Sequence, residues 1–137
     1  MQEIDRRTLL AGTVSVLTMP FAAGAQPVGK VWRIGYLGVV PRPPDDAFRA
    51  GLRELGYIDG QNILIEYRWG GGSGVPGYVV LVKELLALKV DVIVALSSLA
   101  TAAAKEAAPD TPTIFVDVGD PIAYGFVSNL RRPGGKM

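Results

Sequence analysis

The fold of this chain is indicated most clearly by one stretch of sequence, Val90-Asp91-Val92-Ile93-Val94-Ala95-Leu96. It is almost uninterruptedly apolar and rich in β-branched residues, which is typical of a parallel strand covered by helices on both faces. In Ile63-Leu64-Ile65-Glu66-Tyr67-Arg68-Trp69, apolar side chains alternate with Glu66 and Arg68. This period-2 pattern indicates a strand with one partly wet face. The two stretches therefore predict a central strand and an edge strand of one sheet.

Two further strands are predicted at residues 32–38 and 113–117, and helices at residues 45–55, 78–88 and 100–108 separate the four strands. In the first helix, Phe48, Leu52 and Leu55 form an apolar stripe. A short helix over residues 121–130 is expected because Asp120 precedes Pro121. Alternating strands and helices imply right-handed crossovers. We predict an α/β fold, a three-layer parallel sheet with helices on both faces and strand order 2-1-3-4.

The first 25 residues carry the pattern of an export signal. Arg6-Arg7 leads into a weakly apolar run that ends at Ala23-Gly24-Ala25, a small-x-small peptidase site. The paired arginine favours the twin-arginine route, with ordinary secretion as the alternative. The run is shorter than the roughly 20 residues of a spanning helix, so no stable membrane insertion is expected after cleavage. We expect residues 1–25 to be a signal peptide and residues 26–137 to be one domain in the periplasm.

The composition excludes several classes of site. The 137 residues include no cysteine and no histidine, which excludes disulfides, thiolate or histidine metal sites and a Ser-His-Asp triad. The net charge is +1 without a basic run, so no nucleic-acid partner is expected. We expect a protein that is not an enzyme and holds no cofactor or metal.

Polar residues follow the third predicted strand. Ser97, Ser98 and Thr101 lie where the next helix begins, so that hydroxyls and free backbone amides are offered together at a positive helix end. Such a site favours an anionic or carboxylate group. One serine is expected to cap the helix, which leaves the other hydroxyl and Thr101 facing a crevice.

The ends of the first and fourth strands complete this crevice. Val39 and Val40 close the first strand beside the point where strand order reverses, and they supply shape more than charge. Asp117 and Asp120 lie at the end of the fourth strand and suit an ammonium or hydroxyl group. The alternative for Asp120 is that its carboxylate only caps the next helix.

A glycine pattern favours a different function. Gly72, Gly74 and Gly77 match the dinucleotide fingerprint, but the match follows the second strand instead of the first, and no acidic residue ends the next strand. A flexible glycine loop is the better interpretation. The alternative is a truncated, exported oxidoreductase with a nucleotide cofactor. Tyr67 and Trp69 either stack on a ligand or pack on the flanking helix.

Several longer stretches carry a resemblance to a known family: Ile34-Gly35-Tyr36-Leu37-Gly38, Phe48-Arg49-Ala50-Gly51-Leu52-Arg53-Glu54-Leu55-Gly56-Tyr57, Ile65-Glu66-Tyr67-Arg68-Trp69 and Gly119-Asp120-Pro121. They closely resemble the substrate-binding proteins of ABC transporters in the family labelled ABC_sub_bind. The resemblance implies a type I periplasmic binding protein fold, in which two lobes hold a solute in the cleft between them. Residues 26–137 resemble the N-terminal lobe only, with the second lobe missing.

The resemblance also implies partners and contacts. The partners are a small organic solute, such as an amino acid, and an ABC transporter permease. The glycine-rich residues 70–74 replace a more polar segment of the family. A non-catalytic sensor or interaction domain derived from such a lobe is a further alternative. The loops after strands one, three and four are expected to contact the solute through Val39, Val40, Ser97, Ser98, Thr101 and Asp120.

Overall fold

The structure, a computed structural model, describes residues 29–137, so the predicted signal peptide lies outside the described residues. Four parallel strands form one sheet in the order β2-β1-β3-β4, which confirms the predicted fold class and order. Helix α1 packs on one face, and helices α2 and α3 pack on the other. In chain order the elements are β1 (Trp32–Gly38), α1 (Pro43–Glu54), β2 (Ile63–Trp69), α2 (Gly74–Ala87), β3 (Val92–Leu96), α3 (Ser98–Ala107) and β4 (Thr113–Val116).

The central position of β3 follows from its apolar sequence. Ile93 and Ala95 are fully buried beneath the helices of one face, and Val94 and Leu96 are buried on the other. Asp91 joins the start of β3 to β1, because its Oδ2 accepts a hydrogen bond from the Arg33 backbone amide at 2.9 Å. The predicted edge position of β2 is confirmed as well, since β2 pairs only with β1 among the strands of the sheet.

The face under α2 and α3 holds the larger core. Leu37 of the sheet and Tyr78, Val82 and Leu85 of α2 are buried there. Helix α3 contributes three fully buried alanines, Ala100, Ala103 and Ala104. Small side chains allow a helix backbone to lie close to its neighbours, and dense packing of this kind stabilises the layer.

The opposite face is aromatic and only partly covered. The Tyr36 ring contacts the rings of Phe48, Tyr67 and Trp69 with centroids 5.1 to 5.9 Å apart. Beyond α1, the outer strand β4 leaves Ile114 56% exposed on this face of the sheet. The predicted stripe on α1 is correct for Phe48 and Leu52, which pack on the sheet. The prediction is wrong for Leu55, which follows the end of the helix and is exposed.

The helix predicted over residues 121–130 is wrong. The Asp120 carboxylate accepts hydrogen bonds from the amides of Ile122 and Ala123, as expected of a cap, but only a turn follows. Gly125 takes a positive φ of 68°, and the Phe126 amide donates back to the Pro121 carbonyl. A left-handed glycine reverses the chain direction, so the turn closes before a helix propagates.

No helix within residues 29–137 combines the length and the apolar character that crossing a membrane requires.

Candidate ligand-binding site

The loops after the four strands meet at one edge of the sheet, which we call the carboxyl rim: residues 39–42, 70–73, 97–98 and 117–120. Backbone hydrogen bonds tie these loops to one another. The Gly71 amide donates to the Val39 carbonyl at 2.9 Å, and the Ser97 amide donates to the Val116 carbonyl at 3.1 Å. The rim is therefore a connected surface at the usual position of ligands in open α/β sheets.

Ser97 holds the end of β3 and the start of α3 in an unusual conformation. Its φ of 127° and ψ of 160° fall in a region that is essentially restricted to glycine. Its Oγ accepts a hydrogen bond from the Ala100 amide at 3.2 Å, so Ser97 is the one of the two serines that caps the helix. The side chain therefore satisfies one of the open amides of α3 while the backbone is strained.

Ser98 supplies the hydroxyl that capping leaves over. It is half-buried at the first position of α3, and its hydroxyl makes no hydrogen bond with any described residue. The amides of Ser98 and Leu99 likewise have no acceptor in the described part of the chain. These donors and the positive end of the helix dipole favour a carboxylate or another anion.

Thr101 does not face the rim as expected. It is fully buried, and its hydroxyl donates to the Ser97 carbonyl at 2.8 Å. The Thr101 amide donates to the same carbonyl at 3.0 Å. The predicted exposure of Thr101 is wrong because the first turn of α3 rotates this side chain inward, where it fixes Ser97.

The two carboxylates after β4 differ in their use. Asp120 Oδ1 accepts hydrogen bonds from two backbone amides of the following turn, at 3.1 and 2.9 Å. This oxygen therefore acts as a cap, which is the alternative stated above for Asp120. Asp117 has a positive φ of 59°, and its side chain is 74% exposed. Its only polar contact among the described residues is an ion pair with the Arg42 guanidinium, at 3.9 Å. Asp117 therefore keeps more capacity to bind a ligand than Asp120.

The loop after β1 forms the other side of the rim. Val39 is half-buried and Val40 is exposed, so both offer apolar surface as predicted. The loop is anchored from below, because Asp45 Oδ2 accepts the Arg42 amide at 2.7 Å. Arg42 is the one cationic residue in the four rim loops.

A buried tyrosine supports the rim from inside the α2 layer. Tyr78 donates its hydroxyl to the Gly38 carbonyl at 3.3 Å, and its ring lies against Gly70. Burial raises the pKa of Tyr78, so the phenol remains a donor at neutral pH. A hydrogen bond with Ser97 opposes this rise in pKa. Tyr78 thus contacts the last residue of β1, the loop after β2 and Ser97 at the end of β3.

Tyr67 and Trp69 pack within the protein. Their rings stack at 5.7 Å on the α1 face, and the Arg49 guanidinium lies 5.7 Å from the Tyr67 ring centroid. The Tyr67 hydroxyl is buried without a hydrogen-bond partner among the described residues. This arrangement agrees with packing on the flanking helix, the second of the two interpretations above.

The glycine fingerprint does not build a phosphate cradle. A Cβ at Gly72 meets nothing within 4 Å, and one at Gly74 meets only Pro76 at 3.8 Å. Gly77 is crowded by Ser73 of its own loop and not by a strand. The fingerprint needs its glycines for close approach of the pyrophosphate and for helix–strand packing. Residues 29–137 also contain no cluster of acidic residues that could hold a metal ion.

Sequence reasoning missed two contributors to this site. Tyr78 was assigned to a packing helix, and its contact with Gly38 joins residues 40 positions apart. Arg42 is not among the binding residues that the sequence predicts, although it is the one cationic residue in the rim loops. A count of charges loop by loop could have found Arg42.

The comparison with known families agrees with the geometry of the rim. Residues 45–137 match the family described as ABC transporter substrate binding protein. The chain belongs to this family. The resemblance carried by the sequence is thereby confirmed, and the relatives that are named for a ligand are binding proteins.

Three relatives show what the match covers. The "Tyrosine-binding protein" of Clostridioides difficile (strain R20291) is 32% identical over 108 residues, which are 76% of this chain and 31% of that protein. A ligand-free, open substrate binding protein with adhesive properties from Clostridium difficile superposes with a TM-score of 0.70 at 32% identity, covering 77% of this chain and 37% of its own. An ABC domain from Streptococcus pneumoniae in complex with L-Trp gives 0.68 at 30% identity, covering 78% and 37%. The chain thus spans about a third of the length of these relatives.

Proposed function

We propose that this chain is the solute-binding component of an ABC import system and captures a small organic solute, such as an amino acid, in the periplasm. The observation that carries the proposal is the carboxyl rim, which combines unpaired amides and a hydroxyl at Ser98 with the exposed carboxylate of Asp117. Donors at a helix end suit a carboxylate, and an exposed carboxylate suits an ammonium group. Family membership and relatives named for tyrosine and L-Trp support the same function.

In this proposal the six predicted residues have different roles. Ser97 and Ser98 present the start of α3 to the solute, and Thr101 holds Ser97 from below. Val39 and Val40 form an apolar wall in the loop after β1. Asp120 belongs to the turn after β4.

The described part of the chain corresponds in this proposal to the N-terminal lobe of a two-lobed binding protein, within residues 26–137. A facing lobe would supply the opposing contacts and exclude water from the cleft, so binding to this chain alone is expected to be weak. A permease of the ABC transporter is the proposed protein partner. Family membership and the single parallel sheet of the described residues support this assignment.

Titration of the chain with L-amino acids and small organic acids, followed by backbone amide NMR, tests solute binding. We expect saturable shifts, in the millimolar range, at amides of residues 97–101 and 117–120. The Ser98→Ala variant should weaken binding, whereas Ser128→Ala, outside the rim, should not. Silence across the whole panel would count decisively against the proposal.

Export is a separate part of the proposal. Residues 1–25 are proposed to be a signal peptide for the twin-arginine route, supported by Arg6-Arg7 and by Ala23-Gly24-Ala25. N-terminal sequencing of protein recovered from the periplasm should begin at Gln26. The paired variant R6K/R7K should retain the uncleaved chain inside the cell. Normal export of that variant would leave ordinary secretion as the route.

The cofactor alternative has its own test. Titration with a reduced nicotinamide cofactor, followed by fluorescence, should give no saturable response. A response that Gly74→Val abolishes would favour the oxidoreductase instead.

A further inference from the structure

We infer that Asp117 is the residue that recognises the cationic group of the solute, and that Arg42 is its resident counter-ion, which the solute's ammonium group replaces on binding. The inference rests on the proposed solute-binding function and assigns to this site a preference for amine-bearing solutes.

The position of the pair is the first support. Arg42 lies in the loop after β1, and Asp117 follows β4 directly. Because β3 lies between β1 and β4 in the sheet, the ion pair spans the carboxyl end of β3, where Ser97 and the open amides of α3 begin. A solute that binds to those amides therefore comes to lie beside the ion pair.

The chemistry of the two rim carboxylates is the second support. Asp120 uses one oxygen to hold the turn after β4, whereas the Asp117 side chain makes no hydrogen bond with the described residues. Asp117 has a positive φ of 59°, and its side chain is 74% exposed. The charge is thus available for a ligand without loss of an internal contact.

The weakness of the existing pair is the third support. The Arg42 Nη1 and Asp117 Oδ2 atoms are 3.9 Å apart, and both side chains are more than a third exposed. Exposed pairs of this kind contribute about 0–1 kcal/mol. An ammonium that approaches Asp117 within hydrogen-bond distance, while its carboxylate binds the amides of α3, forms the stronger contact. Arg42 is then released toward solvent, although its backbone amide stays bonded to Asp45.

The test compares three probes on the same protein: L-tyrosine, tyramine, which lacks the carboxylate, and desaminotyrosine, which lacks the amine. Backbone amide NMR titrations of the chain measure each affinity. In Asp117→Asn we expect L-tyrosine and tyramine to bind at least about tenfold more weakly, while desaminotyrosine is unaffected. Asparagine tolerates the left-handed conformation of this position, and Asp117→Gly provides a second variant without backbone strain.

Arg42→Gln tests the counter-ion. Removal of the competing cation should strengthen L-tyrosine and tyramine binding about two- to fivefold. A loss of affinity in this variant would mean that Arg42 itself binds the solute, and would overturn its role as counter-ion. The matched control is Asp110→Asn, because Asp110 forms an ion pair with Lys136 at the same 3.9 Å but at the other end of β4, and it should change nothing.

The outcomes separate the two proposals. If none of the three probes binds the unmodified chain, this inference is overturned, whereas the proposed function is overturned only if the whole panel of L-amino acids and small organic acids is silent as well. If the probes bind and Asp117→Asn leaves the affinity of L-tyrosine unchanged, the inference alone is wrong. Equal weakening of all three probes would also contradict it, since amine recognition cannot affect desaminotyrosine.

Discussion

Tyr36 of the sheet donates its hydroxyl to Oδ1 of Asp45 in the first turn of α1 at 2.5 Å, and both residues are buried. The second oxygen of Asp45 accepts the Arg42 amide, so a single carboxylate joins the middle of β1 to the loop that ends it. The hydrogen bond lies entirely on the α1 face, so it supports the loop after β1 from below the carboxyl rim.

Loss of this hydrogen bond should destabilise the protein. In Tyr36→Phe the Asp45 carboxylate keeps its burial but loses a donor, which costs about 1–3 kcal/mol of the free energy of unfolding. Urea denaturation at neutral pH measures the change. Tyr124→Phe is the control, because Tyr124 is exposed, and it should have no effect. Equal stability of the two variants would refute the importance of the Tyr36–Asp45 bond.

Stability should fall in alkaline solution. Burial, followed by the hydrogen bond and charge of Asp45, raises the pKa of Tyr36, and burial also raises the pKa values of Tyr67 and Tyr78. The unfolded chain loses these protons first, so the stabilisation is complete below about pH 10 and is lost as the pH rises toward the folded-state pKa values. Urea denaturation as a function of pH should show a shallower decline in Tyr36→Phe. Parallel curves for the variant and the original protein would contradict the assignment.

The glycine-rich segment should respond unevenly to added methyl groups. A Cβ at Gly70 would lie 2.3 Å from the ring of Tyr78, which is fully buried. We expect Gly70→Ala to lower the free energy of unfolding by about 1–3 kcal/mol through overpacking. Gly72→Ala is the matched control two residues away, where a Cβ meets nothing within 4 Å. Thermal or urea denaturation measures the free energy of unfolding of both variants. Similar decreases for Gly70→Ala and Gly72→Ala would contradict overpacking against Tyr78.

The protein should be more stable with glycine at position 97 than with alanine. Alanine removes the cap on the Ala100 amide and retains the strained backbone, whereas glycine relieves the strain and loses only a few tenths of a kcal/mol of capping. The free energy of unfolding of Ser97→Gly should therefore exceed that of Ser97→Ala by at least about 1 kcal/mol. Urea denaturation of the two variants measures the difference. A lower stability for the glycine variant would show that this φ carries no strain.

The α/β fold could be predicted from the amino-acid sequence alone. The unbroken apolar run over residues 90–96 and the alternation over residues 63–69 were enough to predict the central and edge strands, because burial of strand faces is read directly from hydrophobic periodicity. The four loops of the rim followed from the strand order. A serine cap was predictable because Ser97 and Ser98 precede an alanine-rich helix, and the structure identifies Ser97 as the cap.

The directions of the individual polar side chains depend on tertiary contacts that the sequence pattern does not contain. Thr101 points inward and donates to the Ser97 carbonyl, and Asp120 Oδ1 accepts an amide of its own turn. Asp117 forms only the ion pair with Arg42 among the described residues. These outcomes depend on the rotation of a helix turn, on the left-handed Gly125 and on contacts between residues far apart in the chain. Hydrophobic periodicity records which face of an element is buried, but it contains no information about side-chain direction within a loop.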